Sequence, residues 1–224
     1  MQIKSKLDLC LLGCGEVFDT LQNEISAYGW DAAHVQLHRF ASVDDIAGQA
    51  DSILSKYDPK AHTLFIAVDA NAMNYARLEL YGKARLRGFR MQALVHPSVI
   101  SGTDTKWADN VWLGPGTLLG SKCHIESNSF IGQGSRLDSH VHVGSHVWVG
   151  PGARIGAQTR ISNHCVLGSD VIVKAGAQLG RHVLLDQIGP WEGTLAAGTL
   201  LEPGWLYPAQ MIGPGYTFQR NQSA

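Results

Sequence analysis

An aliphatic residue recurs at every sixth position from Leu113 to Leu185 without an insertion, and this period restricts the possible folds more than any other feature. Glycine directly follows most of these residues, and a small or β-branched residue usually stands four positions after each. A period of six fits neither an α-helix nor one continuous strand, but it fits short strands joined by corners. The aliphatic series consists of Leu113, Leu119, Ile125, Ile131, Leu137, Val143, Val149, Ile155, Ile161, Leu167, Val173, Leu179 and Leu185.

Three such units predict one triangular coil, and successive coils stack at the strand spacing of about 4.8 Å. The aliphatic side chains point into the interior, the small residues fill the space between them, and glycine tolerates the backbone of the corners. The repeat therefore predicts a parallel β-helix built from hexapeptides.

The part before the repeat alternates apolar runs with amphipathic segments, which indicates an α/β unit with a parallel sheet. The apolar runs are continuous, as in strands that are buried on both faces. The predicted elements are a strand at 7–12, a helix ending near Gly29, a strand at 34–37, a short helix capped by Ser42, a strand at 63–68, a helix at 71–87 and a strand at 89–95.

The turn from Gly13 to Gly15 follows the first strand and opens the first helix, where backbone N–H groups can bind a phosphate. A complete dinucleotide fingerprint needs a third glycine, but that position holds Phe18. The turn therefore predicts either a partial nucleotide pocket or a purely structural turn.

The formal net charge of -1 gives no electrostatic reason to expect nucleic acid or an anionic membrane as a partner. Basic residues precede the first apolar run, but this run is too short for a signal peptide and is interpreted as a strand. No stretch is long enough to span a bilayer. Cys123 and Cys165 occupy inward positions of the repeat, which predicts core thiols in a reducing cytoplasm.

Several short motifs carry a resemblance to a known family that covers essentially the whole chain. They are the strand end Ala67-Val68-Asp69-Ala70-Asn71, the junction His96-Pro97-Ser98-Val99-Ile100-Ser101, the hexapeptide coils, and Tyr207-Pro208-Ala209-Gln210 near the end. In this combination the chain resembles the bacterial sugar acetyltransferases that include the sialic acid O-acetyltransferases and the UDP-4-amino-sugar N-acetyltransferases. The resemblance implies a small Rossmann-like α/β domain for a nucleotide sugar at 1–95, a left-handed β-helix acyltransferase domain at 96–190, and a capping tail at 191–224.

The same resemblance implies a homotrimer in which acetyl-CoA lies along the groove between neighbouring β-helices, with no metal required. It also implies that the N-terminal domain holds the nucleotide of the sugar. The implied cofactor-binding residues are Trp148, Gly150, Gly152, Pro208 and Ala209. The implied substrate-binding residues are Gly13, Gly15 and Asn71.

In the resembled family a histidine acts as general base, within a motif like Val-Glu-His-Asp-Cys-Val-Ile-Gly. Aligning this motif with residues 137–144 places Asp138 on the acidic position and Ser139, rather than His140, on the histidine position. We predict His140 as the catalytic base, with Asp138 or Glu126 orienting its ring. The alternative candidates are His146 and His164.

Three histidines, His146, His164 and His182, recur at intervals of 18 residues and are predicted to stack in adjacent coils as a histidine ladder. Imidazoles at such spacing cannot easily all be protonated, so lowered pKa values are expected. Three hypotheses account for the ladder: a polar stack at the trimer interface or on an exposed edge, a source of the catalytic base, or a transition-metal site.

The resemblance implies an acetyl-CoA-dependent O- or N-acetyltransferase that acts on a nucleotide-linked or activated sugar by direct attack. One alternative is a catalytically degenerate β-helix that serves as a binding or assembly scaffold. The missing histidine at the motif position, the incomplete glycine turn and Trp148 favour that alternative. A second alternative is an enzyme that transfers a different acyl group, because Trp148 would reshape the cofactor groove.

Overall fold

A computed structural model describes residues 7–70, 74–187, 189–204 and 208–210. Within these residues the chain forms an α/β unit followed by a parallel β-helix. The helices are α1 at Glu16–Glu24, α2 at Asp44–Leu54 and α3 at Tyr75–Leu86, with a short 3-10 helix at Ala32–His34.

The α/β unit contains four parallel strands in the order β2-β1-β3-β4. The strands are β1 at Asp8–Cys14, β2 at Val35–Arg39, β3 at His62–Val68 and β4 at Arg90–Met91. One face of the sheet packs on α2 and α3, and the other face packs on α1 and on the β-helix. The structure thus confirms a short α/β unit, and its Rossmann-like character stays a prediction.

The β-helix consists of three sheets of short strands stacked coil upon coil. The covered face, on which the α/β unit packs, contains β5 at Leu94–Val95, β8 at Trp112–Leu113, β11 at Phe130–Ile131, β14 at Trp148–Val149, β17 at Val166–Leu167, β20 at Leu184–Leu185, β23 at Thr199–Leu201 and β24 at Ala209–Gln210. The first open face contains β7 at Lys106–Trp107, β10 at His124–Ile125, β13 at His142–Val143, β16 at Arg160–Ile161, β19 at Gln178–Leu179 and β22 at Thr194–Leu195. The second open face contains β6 at Ile100–Ser101, β9 at Leu118–Leu119, β12 at Arg136–Leu137, β15 at Arg154–Ile155, β18 at Ile172–Val173 and β21 at Pro190–Trp191.

The aliphatic series of the repeat forms the interior of the β-helix, as the sequence predicts. Every member from Leu113 to Leu185 is buried, and the buried small residues include Cys123 and Cys165. Buried hydroxyl groups in this interior donate to carbonyl groups of the neighbouring coil, as Ser129 does to Gly144 O at 2.7 Å. The stacked parallel sheets fit the left-handed β-helix that the family resemblance implies.

The third residue after an inward aliphatic adopts a left-handed backbone conformation at many corners of the β-helix. The φ angles of His140, His146 and His164 are 62°, 61° and 63°. Asn, Asp and His are the non-glycine residues most often found in this conformation. The corner backbone therefore favours histidine at these positions independently of any chemistry.

The chain passes from the α/β sheet to the β-helix within the predicted strand at 89–95. The predicted strand at 89–95 is divided into β4, which ends the α/β sheet, and β5, which begins the covered face. The chain changes sheets between these strands: Gln92 N donates to Leu64 O at 2.8 Å, whereas Leu94 N donates to Val111 O at 2.8 Å. The β-helix thus begins at Leu94.

At the other end of the β-helix, β24 pairs antiparallel with β23. Leu200 lies opposite Ala209 in this pair, and Gln210 Nε2 donates to Ala197 O at 3.3 Å. This short strand pairs with the last edge of the covered face, and the capping function of the tail stays a prediction.

Candidate functional site

A carboxylate and an imidazole meet on the first open face of the β-helix. Nε2 of His142, in β13, lies 3.2 Å from Oε1 of Glu126, which directly follows β10 in the adjacent coil. An ionised carboxylate only accepts hydrogen bonds, so Nε2 carries the hydrogen and Nδ1 is the basic nitrogen of His142. Both side chains are about one third exposed, at 30% and 35%. This Glu126–His142 dyad is therefore accessible to a substrate.

The surroundings keep the imidazole of the dyad neutral near pH 7. Burial lowers the pKa of His142 below its ordinary value, Glu126 opposes this shift, and Arg160 and His124 add to it. The His124 ring stacks on the His142 ring with centroids 5.4 Å apart. Ser145 Oγ donates to the second oxygen of Glu126 at 2.8 Å. A neutral imidazole oriented by a carboxylate can accept a proton from an attacking hydroxyl or amine.

The predicted base His140 and its predicted partner Asp138 are placed differently. His140 is exposed at a corner, and its imidazole forms no hydrogen bond or ion pair with the described residues. The carboxylate of Asp138 accepts from Nε of Arg136 at 2.9 Å. The structure therefore does not bring His140 together with Asp138 or Glu126, and their catalytic functions stay predictions.

The histidine ladder forms as predicted, with centroids 4.9 Å apart in both steps from His146 through His164 to His182. Helix α3 of the same chain covers it: Tyr75 stacks on His164 at 5.8 Å, and Tyr81 meets His146 edge-on at 5.7 Å. The ladder thus lies between the α/β unit and the β-helix within one chain. It does not lie at a free edge, which was one of the positions expected from the sequence.

Two asparagines extend the ladder into the α/β sheet. Asn110 accepts from Ile66 N at 2.8 Å and donates to Ile66 O at 3.2 Å, beyond the point where β4 has ended. Asn110 also donates to Asn128 Oδ1 at 2.7 Å, and Asn128 Nδ2 lies 2.8 Å from Nδ1 of His146. Because Asn128 presents its N–H₂ group, Nδ1 of His146 must be an acceptor and therefore unprotonated.

Burial lowers the pKa of His146 from 6.5 to about 4, with smaller contributions from His164 and Arg77, against an opposing one from Asp109. The folded protein binds the proton of His146 less tightly than the unfolded chain does. Its contribution to the stability of the folded state is therefore present above the pKa of the unfolded histidine and is lost as the pH falls towards 4. We therefore expect the free energy of unfolding to decrease between pH 6.5 and 4. Because the ring is partly exposed, the expected loss is about 2 kcal/mol.

Urea denaturation at a series of pH values measures this loss. The variant His146→Asn should flatten the pH dependence, because Asn accepts the same corner backbone and already occupies the equivalent position at Asn128. The matched control His140→Asn changes an exposed corner histidine outside the ladder and should leave the pH dependence as it is. An unchanged slope in His146→Asn would contradict the prediction.

Arg77 is fully buried where α3 meets both units. Its guanidinium donates to Val68 O at 3.0 Å and to Val147 O at 3.2 Å, and it stacks over the Phe130 ring at 4.2 Å. Burial lowers the pKa of Arg77 to about 9, which leaves the group charged at neutral pH. The Trp148 ring packs against Phe130 and lies 5.8 Å from the same guanidinium. The structure therefore places Trp148 in the interface between the units, where its ring has a packing function.

The glycines of the turn after β1 allow the chain to pass close to the end of β3 and to Asp69. A Cβ at Gly13 would lie 1.7 Å from Ala67 O, and a Cβ at Gly15, where φ is 97°, would lie 2.3 Å from the Asp69 carboxylate. That carboxylate accepts from the backbone N–H groups of Glu16 at 2.6 Å and Val17 at 3.0 Å. The donors that a phosphate would use are thus occupied by Asp69, which favours the structural alternative for this turn.

The remaining predicted residues within the described part of the chain lie at two places. Gly150 and Gly152 belong to the turn after β14, where a Cβ on Gly152 would lie 2.2 Å from Asp170 Oδ1. Pro208 is exposed and directly precedes β24, which contains Ala209. Asn71 lies outside the described residues. The cofactor- and substrate-binding functions of all these residues stay predictions.

Within the described residues, no group of three or more His, Cys, Asp or Glu side chains is arranged to hold a metal ion. None of the helices in the same part of the chain is both long and apolar enough to cross a membrane. All four cysteines are buried free thiols, at Cys10, Cys14, Cys123 and Cys165.

His142 is not among the site residues predicted above, although the sequence contains a signal for it. One coil is 18 residues long, so His142 lies beside His124 of the preceding coil. Glu126 stands two positions after His124, so both imidazole rings and the Glu126 carboxylate share one outward surface. The 18-residue register of the repeat is therefore enough to predict that His142 and Glu126 lie close together. The family motif instead matches the residues next to a corner, at 137–144.

Comparisons with known proteins support the fold. Residues 89–187 match the family described as GMPPB C-terminal domain, and no curated protein matches the chain. The solved structure of WeeI from Acinetobacter baumannii is similar with a TM-score of 0.62 at 14% identity, covering 88% of this chain and 96% of WeeI.

Two further similar solved structures contain CoA or acetyl coenzyme A. PerB from Caulobacter crescentus, in complex with CoA and GDP-perosamine, has a TM-score of 0.49 at 16% identity, covering 86% of this chain and 93% of PerB. The acetyltransferase domain of PglB from Neisseria gonorrhoeae, in complex with acetyl coenzyme A, has a TM-score of 0.43 at 16% identity, covering 86% of this chain and 97% of that domain.

Proposed function

We propose that this protein transfers the acetyl group of acetyl-CoA to a hydroxyl or amino group of a nucleotide-linked sugar, with His142 as the general base. The Glu126–His142 dyad carries the proposal, because it is a neutral imidazole oriented by a carboxylate on an accessible face. The β-helix fold and the motifs that resemble the sugar acetyltransferases support the acyl donor and the class of acceptor.

The proposed reaction needs one proton acceptor and no covalent enzyme intermediate. The acceptor oxygen or nitrogen attacks the thioester carbonyl carbon while Nδ1 of His142 takes its proton, and the C–S bond then breaks to release CoA. Glu126 accepts from Nε2 of His142 and stabilises the imidazolium that forms. The proton then passes from Nδ1 to the departing thiolate.

The proposal includes a homotrimer, in which the two open faces of the β-helix meet neighbouring copies. Both faces lie away from the α/β unit, which packs on the covered face. Acetyl-CoA would then lie between copies and reach His142 on the first open face.

The test uses the complete protein with acetyl-CoA and a panel of nucleotide-linked amino and hydroxy sugars. Calorimetry measures acetyl-CoA binding, and a thiol reagent measures CoA release that depends on the sugar. We expect binding of acetyl-CoA and turnover with at least one sugar. Binding without turnover, combined with turnover of another acyl-CoA, would instead identify a different acyl donor.

The occupied α1 N-terminus favours a second candidate, a β-helix that serves as a binding or assembly scaffold. Asp69 closes the place where a nucleotide phosphate would otherwise meet Glu16 N and Val17 N. The same calorimetry distinguishes the two candidates. A scaffold without the transferase activity would show no acetyl-CoA binding and no CoA release with any sugar of the panel.

A further inference from the structure

Both oxygens of the dyad carboxylate are engaged, and Ser145 holds the second one. Ser145 Oγ donates to Glu126 Oε2 at 2.8 Å, while Oε1 faces Nε2 of His142 at 3.2 Å. All three side chains are partly buried. A carboxylate held at both oxygens has a fixed plane, so the hydrogen bond from Ser145 determines which direction Glu126 presents to the imidazole.

The next coil determines where Ser145 lies. Its N–H donates to Asn163 Oδ1 at 3.2 Å, and its C=O accepts from His164 N at 3.0 Å. Asn163 packs directly over Gly144, where an added Cβ would lie 2.4 Å from Asn163 Oδ1. The backbone of Ser145 is therefore located by contacts that do not involve the dyad.

The α/β unit holds the other side of the same turn. Asn74 Nδ2 donates to His146 O at 2.8 Å, and Arg77 donates to Val147 O at 3.2 Å. Asn163 thus holds the turn from Ser145 to Val147 on one side. Asn74, which directly precedes α3, and Arg77 hold it on the other side.

We propose that Ser145 is a positioning residue, which holds the Glu126 carboxylate in the plane that orients His142 for proton transfer. This inference rests on the proposed function, in which His142 is the base. Ser145 does not face the ring itself, and its hydroxyl hydrogen is directed at a carboxylate rather than at an imidazole nitrogen. That arrangement argues for orientation of Glu126 and against a serine nucleophile.

Kinetics of Ser145→Ala test the proposal. We expect kcat to fall about tenfold with little change in KM, because a hydrogen bond to a charged group is lost outside the substrate contacts. Ser145→Thr retains the hydroxyl and should restore kcat. The matched control Ser169→Ala removes an exposed serine that stands equally two positions after an inward aliphatic, and it should leave kcat unchanged.

A second measurement does not depend on activity. NMR titration of the His142 ring reports its pKa, to which Glu126, Arg160 and His124 contribute. Glu126 raises this pKa, so Ser145→Ala should shift the titration to lower pH, in the direction of Glu126→Gln. A shift in a protein without acetyl transfer would support the positioning and reject the proposed function. An unshifted titration in folded Ser145→Ala would overturn the positioning, whatever the activity.

Discussion

Replacing His142 by Gln should lower kcat for acetyl transfer by about 10²- to 10⁴-fold, the contribution usually made by a positioned general base. Gln cannot accept the proton of the attacking group, but it is tolerated on this surface. Register pairing places Arg160 and then Gln178 at the equivalent positions of the following coils. The variant should therefore fold, and its circular dichroism and thermal unfolding should match those of the unchanged protein.

The comparison with His140→Asn separates the two candidate bases. Asn accepts the left-handed backbone of residue 140, so this variant tests the imidazole without straining the corner. If His142 is the base, His140→Asn should retain most of the activity. A loss confined to His140→Asn would restore the assignment predicted from the sequence and contradict the dyad.

The pH dependence gives a further check on the same base. The rate should fall on the acid side as His142 takes up a proton, with a midpoint below the ordinary histidine value, because burial lowers the pKa of His142. Glu126 raises this pKa, so Glu126→Gln should move the acid limb to still lower pH while it reduces kcat. Movement to higher pH would contradict the geometry.

Replacing Arg77 by Ala should reduce the free energy of unfolding by about 3 to 5 kcal/mol, the largest stability effect we expect. The change removes the guanidinium hydrogen bonds to Val68 O and Val147 O and opens a cavity beneath α3, while Val147 O still accepts from Phe130 N at 2.9 Å. It also removes the contact with Phe130 that joins α3 to the covered face. Urea denaturation followed by tryptophan fluorescence measures the loss, since Trp148 lies beside the guanidinium.

A second arginine on the same helix supplies the control. Arg85 is half exposed and pairs with Asp109 at 3.3 Å, so Arg85→Ala should cost no more than about 1 kcal/mol. Arg77→Lys retains the charge but cannot donate to two carbonyl groups in the guanidinium geometry. Its loss in the free energy of unfolding should therefore lie between the losses of Arg77→Ala and Arg85→Ala. Equal losses for Arg77→Ala and Arg85→Ala would show that the buried guanidinium does not join the units.

Much of the architecture could be predicted because each step depends on local or periodic information. The period of six places Leu137 and Val143 inside, and burial of one face in every hexapeptide leaves no alternative register. The α/β elements also appear in the predicted order. The division of the predicted strand at 89–95 into β4 and β5 could not be predicted, because the two short strands separate only when each pairs with a different partner strand.

The candidate site depends on contacts that periodicity alone does not select. A corner histidine such as His140 stands out in the sequence, yet its position also satisfies the left-handed backbone there. His142 lies within a strand, where its chemistry depends on a carboxylate in the preceding coil. A family motif aligned along the chain compares residues within one coil, whereas the dyad joins two.

In the histidine ladder, too, the sequence determined one part of the arrangement and the tertiary structure the other. Its 18-residue spacing determined that His146, His164 and His182 would stack, because every coil has the same length. Only the tertiary structure decided that α3 covers this stack and that Asn110 connects it to the β3 backbone. The sequence by itself thus determined the coil, its interior and its register. The packing of the α/β unit on one face decided which polar groups became buried and which remained open to a substrate.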